Sequence, residues 1–197
     1  MKSFASKLTV AIIFLSYGSA VLADFDLYGG FINYADGTQA RSFYADMWQI
    51  FDHDPDCNDI SNFRWFFDTD DVSGNKIGVR CEGDNCSGNG DPNKIDVVEM
   101  HFANDPLFHF TIYKNRNHYE MIGTDNRGYG QCDPYGANNY FCFPGSTMSG
   151  NRKFRCYTQF TAAQINRATQ LALTFNEFTA KYNITGYELA RENESEV

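Results

Sequence analysis

Basic residues are scarce in this 197-residue chain: 16 Lys and Arg face 25 Asp and Glu, a formal net charge of −9. Lys2 and Lys7 lie in an N-terminal leader, so the remainder carries 14 − 25 = −11. That charge repels nucleic acid and anionic membrane surfaces at long range. Neither is an expected partner, although a local basic patch is still allowed. No apolar run after residue 23 approaches the roughly 18 residues of a membrane-spanning helix. The terminal ARENESEV is charged and lacks the apolar tail of a lipid-anchor signal. Catalytic signatures are missing too. There is no His-Glu-x-x-His, no Gly-x-Ser-x-Gly, and no phosphate-cradling Gly-rich loop followed by Lys. The absence of repeats and low-complexity linkers argues against a purely structural wall protein.

What is present begins with the leader. Lys2 and Lys7 form a positive region, Leu8 to Leu15 is a short apolar core, and Val21-Leu22-Ala23 precedes Asp24. This is the pattern of a secretory signal peptide cleaved after Ala23, and it places the protein outside the cell. All six cysteines (Cys57, Cys81, Cys86, Cys132, Cys142, Cys156) follow it. An even count in an exported chain reads as disulfides, not as metal ligands or redox thiols. Their pairing is open, though Cys81 and Cys86 are placed to close a small ring. Three sequons begin at Asn85, Asn183 and Asn193. The last two, in or near the polar tail, are the better glycan acceptors, because a bridge ties Cys86 beside Asn85.

The expected organisation is a signal peptide over 1–23, one globular domain over 24–186 and a disordered tail over 187–197. Aromatic and β-branched runs broken by Gly and Asp read as strands between 24 and 51, at Trp65-Phe66-Phe67, and at Ile77 to Val79. Residues 81–94 and 123–152 read as Gly- and Asn-rich loops, and Arg152 to Phe160 as a last strand. Thr161 with Gln164 makes a capping box. The apolar spacing of Ile165, Ala168, Leu171, Ala172, Phe175, Phe178 and Tyr182 predicts one amphipathic helix over about 161–182. The fold expected is α+β: an antiparallel sheet with one packed C-terminal helix, stapled by disulfides.

The clearest strand signal lies at 97–122. Val98, Met100 and Phe102 alternate with Glu99 and His101; Phe108, Phe110 and Ile112 alternate with His109, Thr111 and Tyr113. Turns at Asn104-Asp105-Pro106 and at Lys114 to Asn117 fold this stretch into a meander. The predicted register sets His101 opposite His109, Glu99 opposite Thr111, and Thr111 opposite Glu120. One face then gathers Glu99, His101, His109, Thr111, Tyr113, His118 and Glu120.

That face has two readings. Polar residues alternating with core residues describe a solvated sheet surface. A His–Glu set also supplies the proton carriers of a metal-independent, ribonuclease-like hydrolase, with Arg116 steadying a phosphate. Zinc needs ligands converging tetrahedrally, which a flat face rarely offers. The acidic run Asp68 to Gly74 misplaces its glycine for an EF-hand and has Val79 where the bidentate Glu belongs. No metal or cofactor is expected. His53, between Asp52 and Asp54, is either poised as a base or simply solvated.

Several segments resemble small secreted cysteine-containing fungal proteins of uncharacterised or effector-like type. They are Asp24-Phe25-Asp26-Leu27-Tyr28, Met47 to Phe51 before Asp56-Cys57, Asp71 to Lys76, Gly78 to Cys81, Val98 to Phe102, and Arg152 to Cys156 followed by Thr158 to Ile165. The similarity spans roughly residues 24 to 166. It implies an extracellular, virulence-related role at an interface with a host or competitor, and transfers no catalytic residue. The leading expectation is a protein that binds another extracellular protein, such as a host hydrolase it inhibits. The alternative is the sheet-face hydrolase.

Overall fold

The computed structural model describes residues 23–36, 41–62, 64–86, 88–143 and 147–168. The chain opens with two long strands, β1 (Ala23–Asp36) and β2 (Arg41–Phe51), then a short helix α1 (Cys57–Asn62). Strands β3 (Phe66–Phe67), β4 (Gly78–Gly83), β5 (Ile95–Asn104), β6 (Leu107–Tyr113) and β7 (Glu120–Gly123) follow. The chain continues through β8 (Gly128–Pro134), β9 (Tyr140–Cys142) and β10 (Thr147–Thr158) into helix α2 (Ala162–Ala168).

These strands form one sheet in the order β3-β2-β1-β10-β8-β7-β6-β5-β4, with β9 added beside β10. Its two ends meet where Asp68 bridges to Val79, and the Thr69 amide donates to the Val79 carbonyl at 3.0 Å. The result is a nearly closed, antiparallel, barrel-like sheet. The expected α+β class is therefore wrong. Strand makes up 55% of the described residues, and α2 is the one helix among them reaching seven residues.

One error produced that expectation. Residues 123–152, read as loop, hold β8, β9 and the start of β10. Glycine lowers strand propensity, yet Gly130 is there because a Cβ would sit 2.5 Å from the Tyr157 carbonyl oxygen across the β8–β10 ladder. The capping box is present: Thr161 N donates to Gln164 Oε1 at 2.8 Å, and Gln164 N to Thr161 Oγ1 at 3.1 Å. The predicted helix beyond residue 168, the tail, the leader over 1–22, and Asn183 and Asn193 lie outside the described residues.

Alternation builds two cores. Phe25, Leu27, Trp48, Ile50, Val98, Met100, Phe110, Ile112 and Phe154 point into the barrel. Ala162 and Ile165 of α2 join them; α2 touches β1, β2 and β5, strands on opposite sides of the ring, and so lies across one opening. A second cluster covers the other face of β1 and β2, where Tyr28, Ile32, Met47 and Phe51 pack on Ile60, Trp65, Tyr140 and Met148. On β10 a register shift, which pairs Leu27 with Phe154 but Tyr28 with Arg152, moves the even-numbered residues from the first core (Phe154) to the second (Met148). Lys153 is the extra residue, and it turns inward.

Three disulfides close the frame: Cys57–Cys142, Cys81–Cys86 and Cys132–Cys156. The small ring at Cys81 and Cys86 matches expectation. Cys132 and Cys156 are directly opposite on β8 and β10. Among the described residues no helix is long and apolar enough to cross a membrane.

Candidate functional sites: a His–Glu groove and an aromatic face

The β5–β6 pairing follows the predicted register, with His101 opposite His109 and Glu99 opposite Thr111. The β6–β7 pairing differs. Tyr113, not Thr111, faces Glu120, because the intervening turn takes two more residues than expected. Asn117, His118 and Tyr119 adopt consecutive positive φ values of 44°, 53° and 63°. A two-residue offset preserves side-chain parity, so Glu120 stays on the predicted face. His118, in contrast, is carried into the exposed turn and leaves the set.

The outer faces of β5 to β7, with the 72–74 loop, form a groove of about 550 Å³ lined by Glu99, His109, Thr111, Tyr113 and Arg116, among others. Glu99 is its hub. One carboxylate oxygen accepts from Arg80 Nε at 2.9 Å and Nη2 at 2.8 Å; the other accepts from His109 Nε2 at 3.0 Å. Arg80 sits opposite Glu99 on β4, and the sequence reading missed it. Its signal was the alternation Arg80-Cys81-Glu82 beside a strand already carrying Glu99.

His101 is fully buried and structural. Its Nδ1 meets the Val72 carbonyl at 3.1 Å and its Nε2 meets Asn104 Oδ1 at 3.0 Å, which pins the 69–77 loop to the sheet. Its ring backs that of His109, with centroids 4.6 Å apart. Arg116 lies past Tyr113, at the far end of the groove. Its Nη1 donates to Asn126 Oδ1 at 2.9 Å, and its Nε is 3.6 Å from Glu120. Of the predicted constellation, then, Glu99 and His109 are joined, His101 is locked beneath them, and Glu120 and His118 stand apart.

His53 bridges Asp52 and Asp59 at 2.6 and 3.0 Å, and these hydrogen bonds, Asp52 first, raise its pKa. Its ring ties the start of α1 to β2. Two carboxylates of the acidic run 68–74 are engaged by groups of the fold. Asp71 takes the Ser73 amide and Lys76, and Asp68 accepts from Trp48 Nε1 at 3.2 Å. Among the described residues no group of three or more His, Cys, Asp or Glu is arranged to hold a metal ion.

Two features had gone unread. The first is a buried charge cluster from Arg152-Lys153-Phe154-Arg155. Asp26, almost fully buried, accepts from Arg152 Nη1 at 2.5 Å and from Arg155 Nε and Nη2 at 2.8 and 2.7 Å. Arg152 also stacks on Tyr135, 4.3 Å from its centroid. Among the described residues Lys153 has carbonyl partners only, those of Asn85, Gly88 and Gly90 at 3.0, 2.9 and 3.4 Å, and burial pushes its pKa down to about 8.

The second is aromatic. Direct cross-strand neighbours share a face, and Asp46, Phe31, Ser149 and Phe141 lie in one row across β2, β1, β10 and β9. Tyr44 stacks on Phe31 at 5.5 Å, and Phe143 meets Phe141 edge-on at 5.2 Å. Tyr44, Phe141 and Phe143 are 59%, 61% and 72% exposed. Tyr140 and Cys142, which alternate with the two phenylalanines, are buried on the opposite face, and Cys142 is bonded to Cys57.

Neither a family model, a curated protein nor a solved structure matches the chain. Nothing in those comparisons bears on the resemblance to secreted fungal proteins.

Proposed function

We propose that this chain is a secreted binding protein that acts by contact with another extracellular protein, of a host or competitor. The observation that carries this reading is the aromatic row of Tyr44, Phe31, Phe141 and Phe143. A free surface rarely presents several large aromatics side by side, and interface hot spots are enriched in rigid rings. The rings sit on a frame that costs little entropy to hold: β9 is hydrogen-bonded to β10 and stapled to α1 by Cys57–Cys142. Asp46 lies within the row, where Tyr44 donates to it at 3.0 Å. With the acidic balance of the chain, this fits a partner that offers an apolar pocket with a basic rim. The leader and the disulfides support action outside the cell. The resemblance to effector-like proteins points to an interface with a host or competitor, and this reading takes a host hydrolase, bound and inhibited, as the partner class.

Immobilised protein should capture a saturable partner from extracellular fluid of candidate host tissue. The Phe141→Ala/Phe143→Ala variant, with an unchanged circular dichroism spectrum, should lose it. Equal capture by both proteins contradicts the reading.

A further inference from the structure

His109 is held as an oriented base. Glu99 is fixed by two bonds from Arg80 and takes a third from His109 Nε2. A carboxylate only accepts, so Nε2 carries the proton and Nδ1 keeps its lone pair. Among the described residues no group bonds Nδ1. The ring is 12% exposed, backed by His101, and it opens on the groove beside the hydroxyls of Ser73 and Thr111 and the apolar side chains of Leu107 and Ile122.

This arrangement narrows the chemistry. In-line displacement at phosphorus places attacking and leaving oxygens on opposite sides and calls for a proton carrier at each. Here His101 has both nitrogens occupied, His118 is in the turn, and Arg116 lies beyond the end of β6, whose last residue Tyr113 is about 13 Å along the strand from His109. One imidazole suffices for a carbonyl ester, because the attacking and leaving oxygens of a tetrahedral intermediate share a carbon that one ring can serve in turn.

We propose that the groove is a general-base site for small uncharged carboxylic esters, with His109 as proton carrier and Glu99 as positioning residue. Nδ1 takes a proton from water as the water oxygen bonds to the carbonyl carbon and the π pair moves onto the carbonyl oxygen. The hydroxyls of Ser73 and Thr111 are neutral donors in the lining that serve that oxyanion. Collapse breaks the bond to the alkoxide, which leaves with the proton from Nδ1. Ester and water become acid and alcohol, and the imidazole ends neutral. Leu107 and Ile122 favour short apolar groups over charged ones. This activity stands apart from partner binding and uses another face of the barrel.

The test is hydrolysis of p-nitrophenyl acetate by the full chain, followed across the pH range in which imidazole titrates. The rate should rise with pH as one group deprotonates, and His109→Gln should lower it about 100-fold. Glu99→Gln should lower kcat with KM unchanged, because the imidazolium formed in the transition state loses its carboxylate. His118→Gln should match wild type. Arg80 reaches His109 only through Glu99, and His101 backs the ring in every variant. Turnover at background level overturns the proposal, as does a wild-type rate in folded His109→Gln. If His109→Gln does not fold, a wild-type kcat in Glu99→Gln overturns it instead.

Discussion

Lys153 donates to the Asn85 carbonyl at 3.0 Å, from the bulge of β10 to the loop after β4. The same ammonium holds Gly88 and Gly90, so one buried side chain gathers the segment closed by Cys81–Cys86. Burial brings its pKa down to about 8, against an ordinary value of 10.5. Between about pH 8 and pH 10 the unfolded chain keeps a proton that the folded chain has released, so stability should rise with pH, by about 2 kcal/mol. Above pH 10 the trend should reverse, because burial raises the pKa values of Tyr28 and Tyr140 and only the unfolded tyrosines ionise. Urea midpoints across this window check it, and Lys153→Met should lack the rise.

Asp26 balances two arginines from inside the fold. Asp26→Asn leaves Arg152 buried with Asp54 as its remaining carboxylate, 3.1 Å away. The expected loss is about 3–5 kcal/mol in urea unfolding. A loss under about 1 kcal/mol would show that the cluster contributes little.

Cys57–Cys142 spans 85 residues and ties α1 to β9. Replacing both cysteines with alanine should cost about 4 kcal/mol. Native protein should show no free thiol on titration, since each of the six cysteines is paired.

Neighbouring aromatics on β9 should behave oppositely. Phe141→Ala should change stability by no more than about 0.5 kcal/mol, because the ring is largely in water. Tyr140→Phe should cost about 1 kcal/mol or more, since its hydroxyl donates to Gln49 Oε1 at 2.7 Å in the second core. Thermal or urea unfolding of the two variants separates them.

The central meander was legible because its pattern is local. Alternating Val98, Met100 and Phe102 against Phe108, Phe110 and Ile112, with one turn between, sets the parity of Glu99 and His109. The longer turn before Glu120 was not legible, because three consecutive left-handed residues carry no strong signal when they are Asn117, His118 and Tyr119. Barrel closure was hidden for a different reason. It depends on β1 pairing with β10, more than 100 residues apart, and on the contact of Asp68 with Val79, and neither leaves a periodic trace.

Composition misled in two places. Gly128 and Gly130 read as loop but lie on a strand, where a Cβ would meet the Glu120 carboxylate at Gly128 and the Tyr157 carbonyl at Gly130. Phe141 and Phe143 read as loop residues inside the 123–152 stretch, although they alternate with Tyr140 and Cys142 as a strand with one wet face does. Arg152 and Lys153 read as the start of a last strand, and the burial of both follows from the bulge that turns Lys153 inward.

Carbene footprinting of the free protein and of its complex with a captured partner tests the central claim most directly. Labelling should fall at Tyr44, Phe141 and Phe143 in the complex and stay constant at Leu107 and Tyr113 in the groove. Protection of the groove with unchanged labelling of the three aromatics would contradict the account.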